Sequence, residues 1–236
     1  MAIRLRQVAL VARDLVAVER EVVGQLGLAA CVHDLGVASF GLRNVLFPVG
    51  ERLLEIVSPV VAGTAAGRQL DRRGGDGGYM VLVQTDDLSG VRRRLEDLGV
   101  RVVLEASMTG VDGVHLHPKD VGGTILSVDE TDNWSDWPWA GPAWRESVRT
   151  EVVTDLAAVE IQADDPDQMA RRWANVLGVS HLGTVVPLDE GEIRFVVTAD
   201  DRGEGVSGLE FRSHLSANLN IGGVRVTLRP LGSDLV

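Results

Sequence analysis

The most regular feature of the sequence is a run of alternating apolar positions followed by a helical pattern, and it occurs three times. Period-two alternation is typical of a half-buried strand, and apolar residues three and four apart form one face of a helix. An aspartate precedes each helical pattern and a glycine follows it 13, 12 or 13 residues later: Asp14 and Gly27, Asp87 and Gly99, Asp165 and Gly178. Aspartate accepts hydrogen bonds from the free N–H groups at a helix start, and glycine takes the left-handed conformation that ends a helix. We therefore predict three strand–helix units that repeat along the chain.

Short strand patterns follow each strand–helix unit, so the repeat predicts βαβββ modules. Two modules fall within residues 4–130, a third begins near residue 154, and a fourth beyond residue 206 lacks room for its helix. We predict an α+β fold in which paired βαβββ modules form a curled mixed-sheet cup, followed by a second, degenerate copy. The expected domains are residues 1–130, a Trp-rich linker over 131–151, and a truncated second domain over 152–236.

Two irregular segments carry residue types that also occur in ligand sites. The glycines of 74–78 precede a strand, whereas a phosphate-binding glycine loop follows a strand and opens a helix. We therefore interpret the loop expected over 60–78 as a hinge between modules. The four tryptophans of the linker either pin it across the surface or form an aromatic ligand cage, and we favour the first interpretation because indoles bury a large area.

Composition and charge narrow the classes of partner. The hydrophobic content of 45% supports a core, and the net charge of −11 opposes binding to nucleic acid or to an anionic membrane surface. The negative net charge suits binding of a cationic or neutral small molecule. Cys31 is the single cysteine, which fits a reducing compartment. No signal peptide and no bilayer-spanning apolar run is recognised, so we expect a cytoplasmic protein that binds a small-molecule ligand and could form a homodimer.

Three stretches resemble one known superfamily. Residues 7–15 resemble the opening strand, and residues 53–59 the closing strand, of the vicinal oxygen chelate superfamily, the glyoxalase, bleomycin-resistance and extradiol dioxygenase group. Residues 117–126 resemble the hairpin of the methylmalonyl-CoA epimerases within that superfamily. The resemblance covers residues 4–130 well and 154–229 loosely, and it implies the cup described above.

The resemblance also implies four positions for metal ligands, at Gln7, Glu55, Met80 and Ser127. Gln7 and Glu55 match ligands of the family, whereas Met80 stands where a histidine belongs and Ser127 where a glutamate belongs. A thioether and a neutral hydroxyl are poor ligands for the divalent ions that such sites hold. The third opening strand carries Ala158 at this position. We therefore expect no bound metal, with a divalent ion completed by substrate as the disfavoured alternative.

Histidine and cysteine offer two further candidate pairs. His115 and His117 alternate on one predicted strand, but whether they face the cup depends on the hairpin register. Cys31 and His33 also share a strand face, without a carboxylate or amide that would orient them. Neither pair is favoured as a metal or catalytic site.

Three functions remain open, and they differ in the role that they give to Glu55. The favoured one is metal-free binding of a small organic molecule in a pocket lined by Gln7, Glu55, Met80 and Ser127. The alternative is an isomerase, lyase or dioxygenase-type enzyme, because burial on a cup wall would raise the pKa of Glu55 and make it a general base. The third is a structural protein whose cup is filled by side chains. The alternative role for Glu55 is that of a remnant that hydrogen-bonds to Gln7.

Overall fold

The computed structural model describes residues 1–232, and its strands form two mixed β-sheets. The eight-stranded sheet, in the order β2-β3-β4-β1-β5-β8-β7-β6, contains β1 (Ile3–Val11), β2 (Val32–His33), β3 (Leu42–Val49), β4 (Arg52–Pro59), β5 (Gly77–Thr85), β6 (Val102–Met108), β7 (Val111–Leu116) and β8 (Ile125–Thr131). The six-stranded sheet, in the order β10-β11-β9-β12-β14-β13, contains β9 (Val153–Ala163), β10 (Val185–Pro187), β11 (Glu192–Val197), β12 (Gly205–Ser213), β13 (Ala217–Ile221) and β14 (Val224–Pro230). The α+β fold class with curled mixed sheets is confirmed.

The three helices of the repeat form where the sequence predicts them. They are α1 (Leu15–Leu26), α3 (Leu88–Leu98) and α5 (Pro166–Leu177), and the shorter helices are α2 (Ala65–Arg72) and α4 (Pro118–Val121). The predicted aspartates accept hydrogen bonds from backbone N–H groups of the first turn, at 3.1 Å for Asp14, 2.8 Å for Asp87 and 2.9 Å for Asp165. The predicted glycines end the helices with φ of 66°, 62° and 73°. Local capping therefore fixes the helix limits.

The chain divides into two compact units, each built from non-consecutive segments. We call residues 7–79, 139–157 and 207 onward the Glu55 unit, and residues 1–6, 80–138 and 158–206 the Ser127 unit. The domain limits expected from the sequence follow the order of the repeats along the chain and stay a prediction. The last four residues of the expected second domain lie outside the described residues.

In the Glu55 unit, two helices pack against the strands of the first module. Residues 7–11 of β1 pair in parallel with β4, and β4 pairs antiparallel with β3. Helix α1 contacts β3 and β4 and buries an apolar stripe that includes Val18 and Val22. Helix α2 places Ala66 and Leu70 against Val11, Leu42 and Val57. Since Val11 and Val57 alternate with residues of the same strands, they share the sheet face of Gln7 and Glu55.

In the Ser127 unit, the second and third modules keep the same plan. Strand β5 pairs in parallel with β8, followed by antiparallel β7 and β6, while residues 158–163 of β9 pair in parallel with β11. Helices α3 and α5 contact each other, and Arg94 donates to the carbonyl of Leu177 at 3.0 Å. The carbonyls at the end of α5 thus gain a cationic donor, which favours that helix end.

The prediction for the segment between the first two modules was wrong. The loop expected over 60–78 contains helix α2, which Thr64 caps by accepting from the N–H of Gly67 at 2.9 Å. Between β2 and β3 the chain forms a short 3₁₀ turn, Ala38–Phe40, and after β12 it forms the β13–β14 hairpin. A glycine within eight residues weakens the helical pattern of α2, and tertiary packing supplies the missing stability.

The tryptophan segment is only partly exposed. Trp137 and Trp144 are 1% and 2% exposed. In the Ser127 unit, the Arg6 guanidinium lies 5.3 Å from the centre of the Trp137 ring and also donates to the carbonyl of Ser135 at 3.2 Å. The buried Trp137 indole, held by the buried Arg6, supports the interpretation that this segment is pinned. No helix among residues 1–232 is both long and apolar enough to span a bilayer.

We predict that Leu70→Ala destabilises the protein by about 2–4 kcal/mol, because Leu70 is 1% exposed and its loss leaves a cavity under α2. Leu215→Ala is the matched control, since Leu215 is 55% exposed and its loss should change stability by less than about 0.5 kcal/mol. Urea unfolding of both variants measures the difference. Equal stabilities would contradict the described packing of α2.

Candidate functional site

A buried carboxyl group lies at the centre of the Glu55 unit. The Glu55 side chain is on β4, and the residue is 8% exposed. Gln7 on β1 donates from Nε2 to Glu55 Oε2 at 2.8 Å, and Asn44 on β3 donates from Nδ2 to Glu55 Oε1 at 2.7 Å. Each carboxyl oxygen therefore accepts one amide N–H, and three adjacent strands contribute one side chain each to the cluster.

Strand register explains why these three side chains meet. In the parallel β1–β4 pair, Gln7 is opposite Leu53 and therefore diagonal to Glu55 on the same face. In the β3–β4 hairpin, Leu46 is opposite Glu55, so Asn44 is diagonal to it. Diagonal neighbours are within reach of long polar side chains. We refer to Gln7, Asn44 and Glu55 as the Gln7–Asn44–Glu55 cluster.

Asn44 also fixes the loop that follows β2. Its Oδ1 accepts from the N–H of Leu35 at 3.0 Å, and its Nδ2 donates to the carbonyl of Leu35 at 3.2 Å. These two bonds fix the orientation of the Asn44 side-chain amide. Turning the amide over would direct Oδ1 instead of Nδ2 toward Glu55, and both bonds to Leu35 would be lost. The loop thereby holds the donor that the carboxyl group needs.

Burial controls the protonation of Glu55. Loss of hydration raises the pKa of Glu55, and the hydrogen bonds from Asn44 and then Gln7 counteract part of the rise. No ion pair to Glu55 occurs among the described residues. A carboxyl group in this setting can exchange a proton closer to neutral pH than an exposed glutamate can.

Tyr79 and helix α2 complete the surroundings of the cluster. Burial raises the pKa of Tyr79, the negative charge of Glu55 raises it further, and Arg68 on α2 lowers it. Tyr79 also packs with Val11, Val57 and Leu70. The cluster is thus bordered by a phenol and by an apolar surface that α2 covers.

A shallow depression of about 410 Å³ lies beside α2 in the same unit. Its lining includes Arg13, Arg68 and Asp71, and Arg13 pairs with Asp71 at 3.0 Å. Both partners of this ion pair are more than half exposed. A solvent-open depression with compensated charges lacks the converging polar groups of a built site.

The other two positions implied by the resemblance lie in the Ser127 unit. Met80 is 8% and Ser127 0% exposed, and the parallel register places Ser127 opposite Leu82, diagonal to Met80. Ser127 Oγ is buried and has no hydrogen-bond partner among the described residues. Whether all four positions line one pocket stays a prediction from the sequence.

The hairpin register separates the two histidines. His115 lies directly opposite Ser127, and burial lowers the pKa of His115 to about 4, so its ring is neutral at pH 7. His117 instead caps α4, accepting from the N–H of Lys119 at 3.1 Å through Nδ1. The two rings therefore do not form a ligand pair.

Cys31 and His33 also have separate roles. Burial raises the pKa of Cys31 to about 11, so its thiol is not an activated nucleophile. His33 Nε2 lies 2.9 Å from Glu19 Oε1. The histidine therefore has a carboxylate partner rather than a thiol partner.

The residues present do not fit a tightly held metal ion. Gln7 directs an N–H donor, not its oxygen, toward Glu55, and no group of three His, Cys, Asp or Glu side chains suited to a metal occurs within residues 1–232. Divalent ions require several oxygen, nitrogen or thiolate ligands together. The donor set is therefore that of a hydrogen-bonded carboxyl site.

Sequence reasoning missed Asn44, Tyr79 and the covering helix. Asn44 could have been found, because only two residues connect β3 and β4, and a turn of that length sets the hairpin register that brings Asn44 next to Glu55. Tyr79 and α2 had no comparable local signal, since their approach to the cluster depends on how the segment after β4 folds back.

Comparisons with known proteins identify the relationships of the chain. A family model described as a glyoxalase-like domain matches residues 8–177. A hypothetical protein from Staphylococcus aureus is 12% identical, with a TM-score of 0.70 over 97% of this chain and 100% of its own. A comparison with curated proteins finds no match.

Two further solved structures match about half of the chain. A hypothetical protein from Bacillus halodurans C-125 is 16% identical, with a TM-score of 0.51 over 58% of this chain and 100% of its own. A methylmalonyl-CoA epimerase in complex with methylmalonyl-CoA and ammonium is 20% identical, with a TM-score of 0.50 over 56% of this chain and 96% of its own. At these identities the likeness concerns the fold.

We predict that the stability of the protein depends on the ionisation of Glu55. Because the folded-state pKa of Glu55 lies above its ordinary value of 4.5, the stabilisation is complete below that value and is lost as pH rises through the folded-state pKa. Glu55→Gln cannot ionise, so its free energy of unfolding relative to the wild type should rise as the pH increases above about 4.5. Urea unfolding at several pH values measures this, with the exposed Glu96→Gln as the matched control. A constant difference would show that the carboxyl pKa is not raised.

We predict that Ser127→Ala leaves stability unchanged or raises it by up to about 1 kcal/mol, because the hydroxyl is buried without a partner. Ser213→Ala is the matched control and should cost about 1 kcal/mol, since Ser213 Oγ donates to the carbonyl of Val152 at 2.7 Å. Thermal and urea unfolding test both variants. A loss for Ser127→Ala equal to that of Ser213→Ala would mean that Ser127 has a partner.

Proposed function

Because the chain belongs to the glyoxalase-like domain family and has the vicinal oxygen chelate fold, we propose that it binds a small organic molecule at the Gln7–Asn44–Glu55 cluster without a bound metal ion. The observation that carries this proposal is the pairing of each Glu55 oxygen with an amide N–H. The resemblance assigns this carboxyl group to a metal, but both of its oxygens accept hydrogen bonds from side chains of the protein.

The surroundings of the cluster support a binding role. The partly buried Val37 and Tyr79, which pack against the core under α2, supply apolar contact area, while the Glu55 carboxyl group and the Tyr79 hydroxyl supply a small number of polar groups. Ligand sites combine these features, because apolar walls provide affinity and a few placed polar groups provide orientation. Met80 and Ser127 stay predicted members of the ligand-binding surface.

A second candidate function is proton transfer by Glu55. The raised pKa of Glu55 favours it, since a general base works best with a pKa close to the working pH. The methylmalonyl-CoA epimerase named above was solved with methylmalonyl-CoA, which makes an acyl-CoA ester a suitable probe for this chain. In this case the protein would be an isomerase or lyase that exchanges a proton next to a carbonyl group.

Three measurements test the proposal. Protein purified without chelator should contain far less than one equivalent of zinc, iron, manganese or nickel by elemental analysis. A thermal-shift screen of small organic molecules, followed by calorimetry, should find ligands whose affinity is unchanged by EDTA. Glu55→Gln should weaken their binding, whereas Glu96→Gln, on the exposed side of α3, should not.

A separate experiment tests the alternative that the protein is an enzyme. Incubation with methylmalonyl-CoA in D₂O, followed by mass spectrometry, should show no exchange of the α proton beyond the buffer rate if the protein only binds. Exchange that is lost in Glu55→Gln would favour the enzyme. One equivalent of metal, whose removal abolishes ligand binding, would contradict the metal-free proposal.

A further inference from the structure

The following inference rests on the proposed binding at the cluster and assigns the class of ligand. We propose that the ligand is an apolar organic amine whose ammonium group pairs with the Glu55 carboxylate. The chemical groups around Glu55 carry this assignment.

The first step is the missing cation. Glu55 is 8% exposed, yet its hydrogen-bond partners are the neutral amides of Gln7 and Asn44, and no ion pair to it occurs within the described residues. Burying a carboxylate without an opposite charge is unfavourable. A ligand that brings a positive charge would remove this penalty, so the site favours cations over neutral molecules.

The second step is the remaining capacity of the carboxylate. Two oxygens offer about four acceptor positions, and the two amides use one on each oxygen. An ammonium group can donate to the free positions without displacing either amide. A neutral ligand amide would repeat what Gln7 and Asn44 already provide, and an anion would be repelled.

The third step is the apolar border of the site. The partly buried side chains of Val37 and Tyr79 pack against the core cluster under α2 and are the apolar groups that a ligand can contact. The charge of Glu55 also acts on the Tyr79 hydroxyl. Aromatic rings attract ammonium groups, and apolar walls bind hydrocarbon. The combination selects an amine that carries an apolar substituent over a hydrated metal ion.

The charge of the whole chain acts in the same direction. The net charge of −11 raises the local concentration of cations and lowers that of anions. This long-range effect cannot choose between one amine and another. The partly buried Val37 and Tyr79 make that choice.

Calorimetry with three matched probes tests the inference. Benzylamine, benzyl alcohol and benzoate share a ring and differ in charge, and each is titrated at pH 7 into wild-type protein, Glu55→Gln and the exposed control Glu96→Gln. Benzylamine should bind the wild type about tenfold or more tighter than benzyl alcohol, as expected for a hydrogen bond to a charged group. Glu55→Gln should remove this difference, and Glu96→Gln should retain it.

The possible failures are distinguishable. Benzyl alcohol binding as tightly as benzylamine, with both weakened in Glu55→Gln, would overturn the amine assignment and leave the proposed binding site intact. Preferential binding of benzoate would also overturn the amine assignment. Absence of any Glu55-dependent ligand in the broader screen would overturn the proposed function itself. The wild-type comparison of amine with alcohol decides the inference even if Glu55→Gln does not fold.

Discussion

A carboxyl group that is taken out of water needs donors or a counter-charge, and in this protein Glu55 receives one amide N–H on each oxygen. Gln7 and Asn44 supply them from two neighbouring strands, so the hydrogen bonds require the parallel β1–β4 register and the β3–β4 hairpin register together. A shift of one residue in either strand would turn the amide to the other sheet face. The same bonds moderate the rise in pKa that burial causes.

The repeat shows that backbone architecture and site chemistry are under separate constraints. Three aspartate caps and three left-handed glycines keep the helices of the modules in place. The opening-strand positions differ, with Gln7 in the first module, Met80 in the second and Ala158 in the third. Capping and alternation depend on residues outside those positions, so the fold tolerates their replacement. The family relationship consequently gives the fold more firmly than it gives the chemistry.

The Gln7–Glu55 contact was accessible from the resemblance to a known family, and Asn44 was accessible from the length of one hairpin turn. Ser127 and His115 illustrate the opposite case, because adjacency in a sheet became visible only with the register of β7 and β8. The His115 ring is neutral because it is buried, and burial is not a property of the strand pattern alone. The Trp-rich segment also needed the structure, since its composition is compatible with both a pinned linker and an aromatic cage.

By itself the sequence determined the α+β class, the three capped helices and the family resemblance, because these follow from local hydrogen bonding and from periodicities of two and 3.6 residues. Tertiary structure decided that Tyr79 packs against the core cluster under α2, and that His117 is a helix cap rather than a partner of His115. The physical reason is the distance along the chain over which each interaction acts. Capping acts within a few residues, whereas burial, strand register and the electrostatic environment of a carboxyl group arise between segments that are distant in the chain.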